Sequence, residues 1–294
     1  MTSYPSLPPR RADWVDFQRA HTKDYLYRIQ QLAGGLKLDS PPRISAECMG
    51  LEFCLPGYEY GLGGMLEAID WMKQGKLARS GHFCLGGHHA YADWGHGYCL
   101  LNPMAVAVRY AQEQGFERIL IVDWDHHHGD GTQAIFAHDP SVYCISIHSL
   151  DDLYMSLMGI LRQATTTAGE NVGHCNIPVL SGKYGDHFLE EMNLPGKFYR
   201  AQTCLAAFEE ALENLPWSPD LICILSGYDA HKDDLGYDTA KWTNDDFRFL
   251  TERMITLSHL HHCPILSTNG GGYRLEITVP AALTHLHTLA TFSP

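Results

Sequence analysis

The stretch Asp123-Trp124-Asp125-His126-His127-His128-Gly129-Asp130-Gly131 crowds carboxylates and imidazoles directly behind the apolar run RILIVD. In extended backbone alternate side chains share a face, so Asp125 and His127 point together while His126 and His128 point away. An Asp and a His two apart on one edge make half of a metal site. A lone D-x-H is more often a solvated polar loop. Several such groups immediately after an apolar strand shift the reading towards chemistry.

Three further clusters fit one reaction. After LICILS comes Gly227-Tyr228-Asp229-Ala230-His231, where Asp229 reads either as a turn cap or as a third metal ligand. Two carboxylates and one imidazole leave a coordination position for water, as catalytic zinc requires, whereas structural sites close the shell with four protein ligands. The adjacent His88 and His89 in Gly86-Gly87-His88-His89-Ala90 read in isolation as surface residues of a turn. Beside a metal site they read as a proton-transfer pair, with Asp123 and Asp130 as partners on the far ring nitrogens. In Asn269-Gly270-Gly271-Gly272-Tyr273 the glycines allow close backbone approach, and the Tyr273 hydroxyl can meet a developing oxyanion. A flexible turn with a packed tyrosine is the bland alternative for that motif. Each cluster is weak alone; four of them at four strand ends form a joint signal.

The elements that must position these residues follow from pattern and punctuation. Apolar residues at helical spacing predict a helix from Trp14 to Gln31, stopped by Gly34-Gly35. A polar linker runs from Lys37 to Arg43, and a helical stretch from Met49 to Met72 should break near Pro56-Gly57. His82–Leu85 reads as a strand, followed by a helix opened by Asn102-Pro103 and closed by Gly115. Strands are expected at Arg118–Asp123, Val142–Ile147, Asn176–Val179, Leu221–Ser226 and Pro264–Ser267. Helices are expected from Lys197 to Leu212, from a Thr243 cap to about His261, and near the C-terminus. Continuously apolar strands separated by helices imply a mostly parallel sheet covered on both faces, in one α/β domain spanning 1–294. Ligands of such sheets bind beyond the carboxyl ends of the strands, where the four clusters fall.

Composition narrows the function. Lys and Arg total 21 against 34 Asp and Glu, a net charge of −13, which argues against direct nucleic-acid binding. No apolar run reaches the roughly 18 residues of a membrane span. The Pro-rich Met1 to Arg11 stretch has neither a secretory nor a transit pattern, so the chain reads as cytoplasmic. Nine scattered cysteines, with no C-x-x-C pair, read as reduced and mostly buried thiols.

With these residues in hand, the chain resembles the zinc-dependent histone deacetylase and acetylpolyamine amidohydrolase family, especially its class II-like members. The resemblance extends from about Ala12 to the C-terminus. It is carried by GGHHA (86–90), GYCLLN (97–102), DWDHHHGDGT (123–132), SGYDAHKDD (226–234) and NGGGY (269–273). It implies the arginase/deacetylase fold and one zinc ion held by Asp125, His127 and Asp229. His88 and His89 would be general base and acid, Asp123 and Asp130 their partners, and Tyr273 the oxyanion donor. The implied reaction is attack of a zinc-polarised water on an acyl amide, giving an acid and a free amine. The resemblance also implies a substrate tunnel lined at Gly97 and Tyr98, and a structural K+ near Asp123, Asp125, His127 and Ser146.

The chain departs from the family pattern in places. It starts almost at the first helix, so part of the substrate rim and an edge strand are expected to be absent. The loop after His148 lacks the usual aromatic-Pro-Gly turn, leaving Tyr154 as the candidate for the opposite tunnel wall. Cys84-Leu85-Gly86 replaces the Arg-Pro-Pro that commonly precedes GHH, and Asp39 is the candidate rim acid. The substrate is expected to be an acylated lysine of a protein or peptide. The alternatives are an acylated polyamine or other small amine, and, ranked last, a catalytically silent scaffold. Oligomerisation is left open.

Overall fold

The computed structural model describes residues 6, 10–84, 86–151, 159–166 and 173–294. Six strands, β1 (Arg79–His82), β2 (Ile119–Asp123), β3 (Val142–Ser149), β4 (His174–Val179), β5 (Leu221–Ser226) and β6 (Ile265–Asn269), form one sheet in the order β1-β6-β5-β2-β3-β4. Every pairing is parallel. The helices are α1 (Trp14–Phe17), α2 (Lys23–Ala33), α3 (Leu55–Lys73), α4 (Pro103–Glu113), α5 (Asp130–Phe136), α6 (Leu161–Thr165), α7 (Phe188–Glu191), α8 (Cys204–Glu213), α9 (Asn244–His261) and α10 (Leu275–Thr291).

Strand alternation divides the core in two. Ile119 and Ile121 of β2, with Leu221 and Cys223 of β5, face α3 and α4 in one apolar cluster. Leu120 and Val122, with Ile222 and Ile224, face the opposite cluster, which holds Phe208 of α8 and Phe247, Leu250 and Met254 of α9. Both faces are thus covered, which is why β2 and β5 read as unbroken apolar runs. The chain works outward from β2 through β3 to β4, then returns to β5 on the other side of β2. The crevice at this reversal opens between the carboxyl ends of β2 and β5.

Caps and turns explain most boundaries. The Asn102 side chain accepts from Ala105 N at 2.9 Å, with Pro103 in the first turn of α4. At the start of α9, Thr243 N donates to Asp246 at 2.7 Å. Four expectations need correction. The helix foreseen over Trp14–Gln31 is two, because extended Thr22 restarts the chain and accepts from Tyr25 N at 3.3 Å. The stretch from Met49 is not α-helical throughout: a 3₁₀ turn covers Leu51–Cys54, and α3 starts at Leu55 with Pro56 in its first turn, where a missing N–H is harmless. The first strand is Arg79–His82, paired with β6, rather than His82–Leu85; Leu85 lies outside the described residues. The helix expected from Lys197 begins only at Cys204, since Tyr199 bridges to Val179 in extended form. Among the described residues no helix is long and apolar enough to cross a membrane.

Candidate metal centre and acid–base pairs

The segment after β2 is shaped by its own carboxylates. Asp125 N donates to Asp123 Oδ1 at 3.0 Å and His127 N to Asp125 Oδ1 at 2.9 Å. Two successive Asx turns therefore bend the chain where extended backbone was expected, and Asp125 and His127 still meet. His127 Nδ1 lies 3.1 Å from Asp125 Oδ1 and 3.2 Å from Asp229 Oδ2. One ligand atom from each of the three residues falls within 4.8 Å of the others. His128 turns away towards Ser146 and His148, at 3.4 Å from the Ser146 hydroxyl. The Ser146 hydroxyl is also 2.9 Å from His148 Nδ1, so the side chain expected near a K+ ion already has partners.

The donor set fits a cation. Asp125 and Asp229 are 1% and 0% exposed, and two carboxylates buried face to face repel unless a positive charge lies between them. Asp229 Oδ1 accepts from His126 N at 2.9 Å, whereas Oδ2 is buried and aimed at His127 Nδ1, 3.2 Å away. Burial first, and then the charge of Asp125, raises the Asp229 carboxyl to about 6. Burial opposes a charge on His127, but the bonds to Asp125 and Asp229 outweigh it and hold the imidazole well above its ordinary value. A metal would take over that proton's role. The glycines after β6 leave the room required: a methyl on Gly270 would stand 2.6 Å from Asp125 Oδ2, and one on Gly271 would overlap Asp229. Gly271 N also donates to Asp125 Oδ2.

Both histidines of the Gly86–Ala90 turn are buried, and each is paired with an aspartate. His88 Nδ1 donates to Asp123 Oδ2 at 2.9 Å, and His89 Nδ1 to Asp130 Oδ1 at 2.6 Å. His88 presents Nε2 to Asp125 Oδ1 at 3.8 Å, so its far nitrogen faces the triad. Sequence reasoning missed His96, which donates from Nε2 to Asp130 Oδ2 at 2.8 Å. His89, His96 and Asp130 are near enough to be considered as metal ligands. Separations of 2.6 and 2.8 Å are hydrogen bonds, however, and leave no space for an ion. The available signal for His96 was its place in Gly95-His96-Gly97, immediately before the expected tunnel wall.

Two exposed tyrosines, Tyr273 and Tyr98, lie near one another beside the carboxylates of the cluster. Tyr273 is 54% exposed and meets the His127 ring edge-on at 6.1 Å. Asp234 anchors it, accepting from Tyr273 N at 2.9 Å and Arg274 N at 3.1 Å, a role the sequence did not reveal. Burial of the hydroxyl end and the carboxylates of Asp125 and Asp229 hold the phenol above its ordinary range, with Tyr98 among the contributing neighbours. Tyr98 is 63% exposed and adopts φ of 61°, a left-handed conformation seldom held by a bulky residue without purpose. Beside Tyr98, Gly97 N donates to the Glu47 carboxylate at 3.0 Å. Asp39 is exposed in the linker, and Tyr154 lies outside the described residues.

The chain is similar in sequence and fold to known proteins. An uncharacterised protein of Synechocystis is 32% identical over 267 residues, which cover 86% of this chain and 74% of that protein. The acetoin utilization protein AcuC of Bacillus subtilis is 30% identical over 288 residues, covering 94% of this chain and 68% of its own length. The crystal structure of the HDA15 HD domain superposes with a TM-score of 0.74 at 24% identity, over 96% of this chain and 75% of that one, a likeness of fold. The family model described as the histone deacetylase domain matches residues 2–289, and the chain belongs to that family of hydrolases.

Proposed function

We propose that this chain is a zinc-dependent amidohydrolase that removes an acetyl or other acyl group from the ε-amine of lysine in proteins or peptides. The observation that carries the reading is the convergence of Asp125, His127 and Asp229 with two buried His–Asp pairs at the sheet reversal. Asp125, His127 and Asp229 would hold the ion, which would supply a Lewis acid to polarise the acyl carbonyl and acidify water. His88 takes the proton of the attacking water at Nε2, the nitrogen that faces Asp125. Tyr273 donates its hydroxyl proton in a hydrogen bond to the carbonyl oxygen as charge develops there. His89, oriented by Asp130, delivers a proton to the departing amine as the C–N bond breaks, and the proton taken up by the neighbouring His88 replaces it, so that both rings return to their starting state. Water thus adds across the amide, and the products are a carboxylic acid and a free amine. Asp123 and Asp130 fix the tautomer and direction of the two rings.

Glu47 favours a second reading, in which the substrate is an acylated polyamine or other small amine. A carboxylate beside the Gly97–Tyr98 wall would meet a distal ammonium on such a substrate. The test is metal content together with hydrolysis of an acetyl-lysine peptide, acetylputrescine and acetylspermidine, each with and without a chelator. Chelator-sensitive turnover of the peptide above both polyamines is expected. Preference for the polyamines would install the second reading, and stoichiometric metal without turnover of any acyl amide would replace both with a binding role.

A further inference from the structure

Asp123 and Asp130 do equivalent work behind His88 and His89, but their second oxygens are held differently. The free oxygen of Asp123 takes the backbone N–H of Asp125 at 3.0 Å. That of Asp130 takes a side chain, His96 Nε2, at 2.8 Å. His96 and Asp130 are both 0% exposed. The imidazole of His96 is stacked on Trp94, with ring centroids 4.2 Å apart and planes 16° from parallel, and the Arg43 guanidinium lies 4.3 Å from the centroid of that indole. The backbone around it is pinned as well: Gly95 N donates to Arg43 O at 3.0 Å, Ser45 N to Gly95 O at 2.9 Å and Gly97 N to Glu47 at 3.0 Å. The turn that carries Tyr98 is therefore bolted, through His96, to the carboxylate behind His89.

We propose that His96 is a positioning residue for proton transfer, holding Asp130 in the plane that aims His89, and that it makes the Tyr98 wall and the acid–base pair one rigid unit. The inference rests on the role assigned above to His89. A carboxylate held at one oxygen swings about its Cβ–Cγ bond; a second donor from a different loop removes that freedom. His96 acts through Asp130.

Two substitutions separate donor from ring. His96→Phe keeps an aromatic ring against Trp94 and removes the donor, while His96→Gln keeps an N–H near the position of Nε2. For the metal-loaded enzyme, His96→Phe is expected to lower kcat about 10- to 100-fold, the scale for loss of an orienting partner. KM should stay within about twofold, metal content should be unchanged, and His96→Gln should recover most of kcat. Wild-type kcat in His96→Phe overturns the proposal. So does a His96→Gln enzyme as impaired as His96→Phe, since the ring rather than the donor would then matter. His89→Gln, assayed alongside, tells the two levels apart. If it turns over like wild type, the role given to His89 fails; if it is impaired while His96→Phe is not, only the positioning role fails.

Discussion

His88 and His89 are chain neighbours with rings 4.1 Å apart, both buried and both donating Nδ1 to a buried Asp, yet their proton affinities diverge. Burial opposes charge on His88, but Asp123 and Asp125 outweigh it and raise the imidazole to about 9. Burial, and then the charge of His88, drive His89 down to about 3 against the pull of Asp130. The difference comes from the charges packed around each ring. His88 faces a second carboxylate in Asp125, whereas the charged groups beside His89, apart from Asp130, are the imidazoles of His88 and His127. Without a metal the two rings thus differ in protonation, His88 charged and His89 neutral near pH 7; a cation held by Asp125 would offset the carboxylate charge that raises His88 and lower its proton affinity towards that of a base.

The largest expected effect comes from deleting what both rings serve. Asp229→Ala should lose its metal and its turnover together; stoichiometric zinc in the purified variant would remove Asp229 from the ligand set. Next, Asp123→Asn and Asp130→Asn keep shape while removing charge, and each should lower kcat about 10²- to 10⁴-fold with metal retained. Histidine NMR of the metal-free protein sharpens this point: His88 should hold its proton towards pH 9 and lose that affinity in Asp123→Asn, while His89 should stay neutral down to about 3. Coincident titrations of the two rings would end the contrast. Tyr273→Phe, which leaves both pairs intact, should lower turnover by about two orders of magnitude with unchanged metal content. Near-wild-type rates would take the oxyanion role from Tyr273.

The smallest effect concerns a buried imidazole with no carboxylate partner. His285 lies 2.7 Å from the Thr251 hydroxyl and 2.8 Å from that of Ser267, and burial lowers its pKa to about 4. The unfolded chain takes up this proton near pH 6.5, ahead of the folded protein. Stability contributed by neutral His285 is therefore complete above pH 6.5 and is lost as pH falls towards 4, by about 2 kcal/mol between pH 7 and 5. Denaturant unfolding at the two pH values should give a smaller pH difference for His285→Gln. An undiminished difference would assign the acid sensitivity to other groups.

Legibility followed the range of the interaction. Leu221–Ser226 matches its expected bounds, because an unbroken apolar run between turn residues has little else to become inside a covered sheet. The helix capped by Thr243 was equally plain, since the cap and Asp246 are three residues apart. The split between α1 and α2 and the late start of α8 were not legible. Thr22 N bonds Ala92 O, and Tyr199 N bonds Pro178 O, so the stops lie in segments distant along the chain. His96 escaped notice for the same reason: its partner is 34 residues away.

The sequence by itself determined which side chains stand at strand ends and which of them are of the right type. Apolar periodicity and i,i+2 bonds, such as His127 N to Asp125, act within a few residues and are readable locally. Tertiary structure decided that these ends converge. Asp229 reaches His126 N across 103 positions and Gly271 N reaches Asp125 across 146, because the sheet reverses at β2 and sets β5 beside it, with β6 next to β5. It also decided the protons, since the charges packed around each buried ring, rather than residue type, separate His88 from His89.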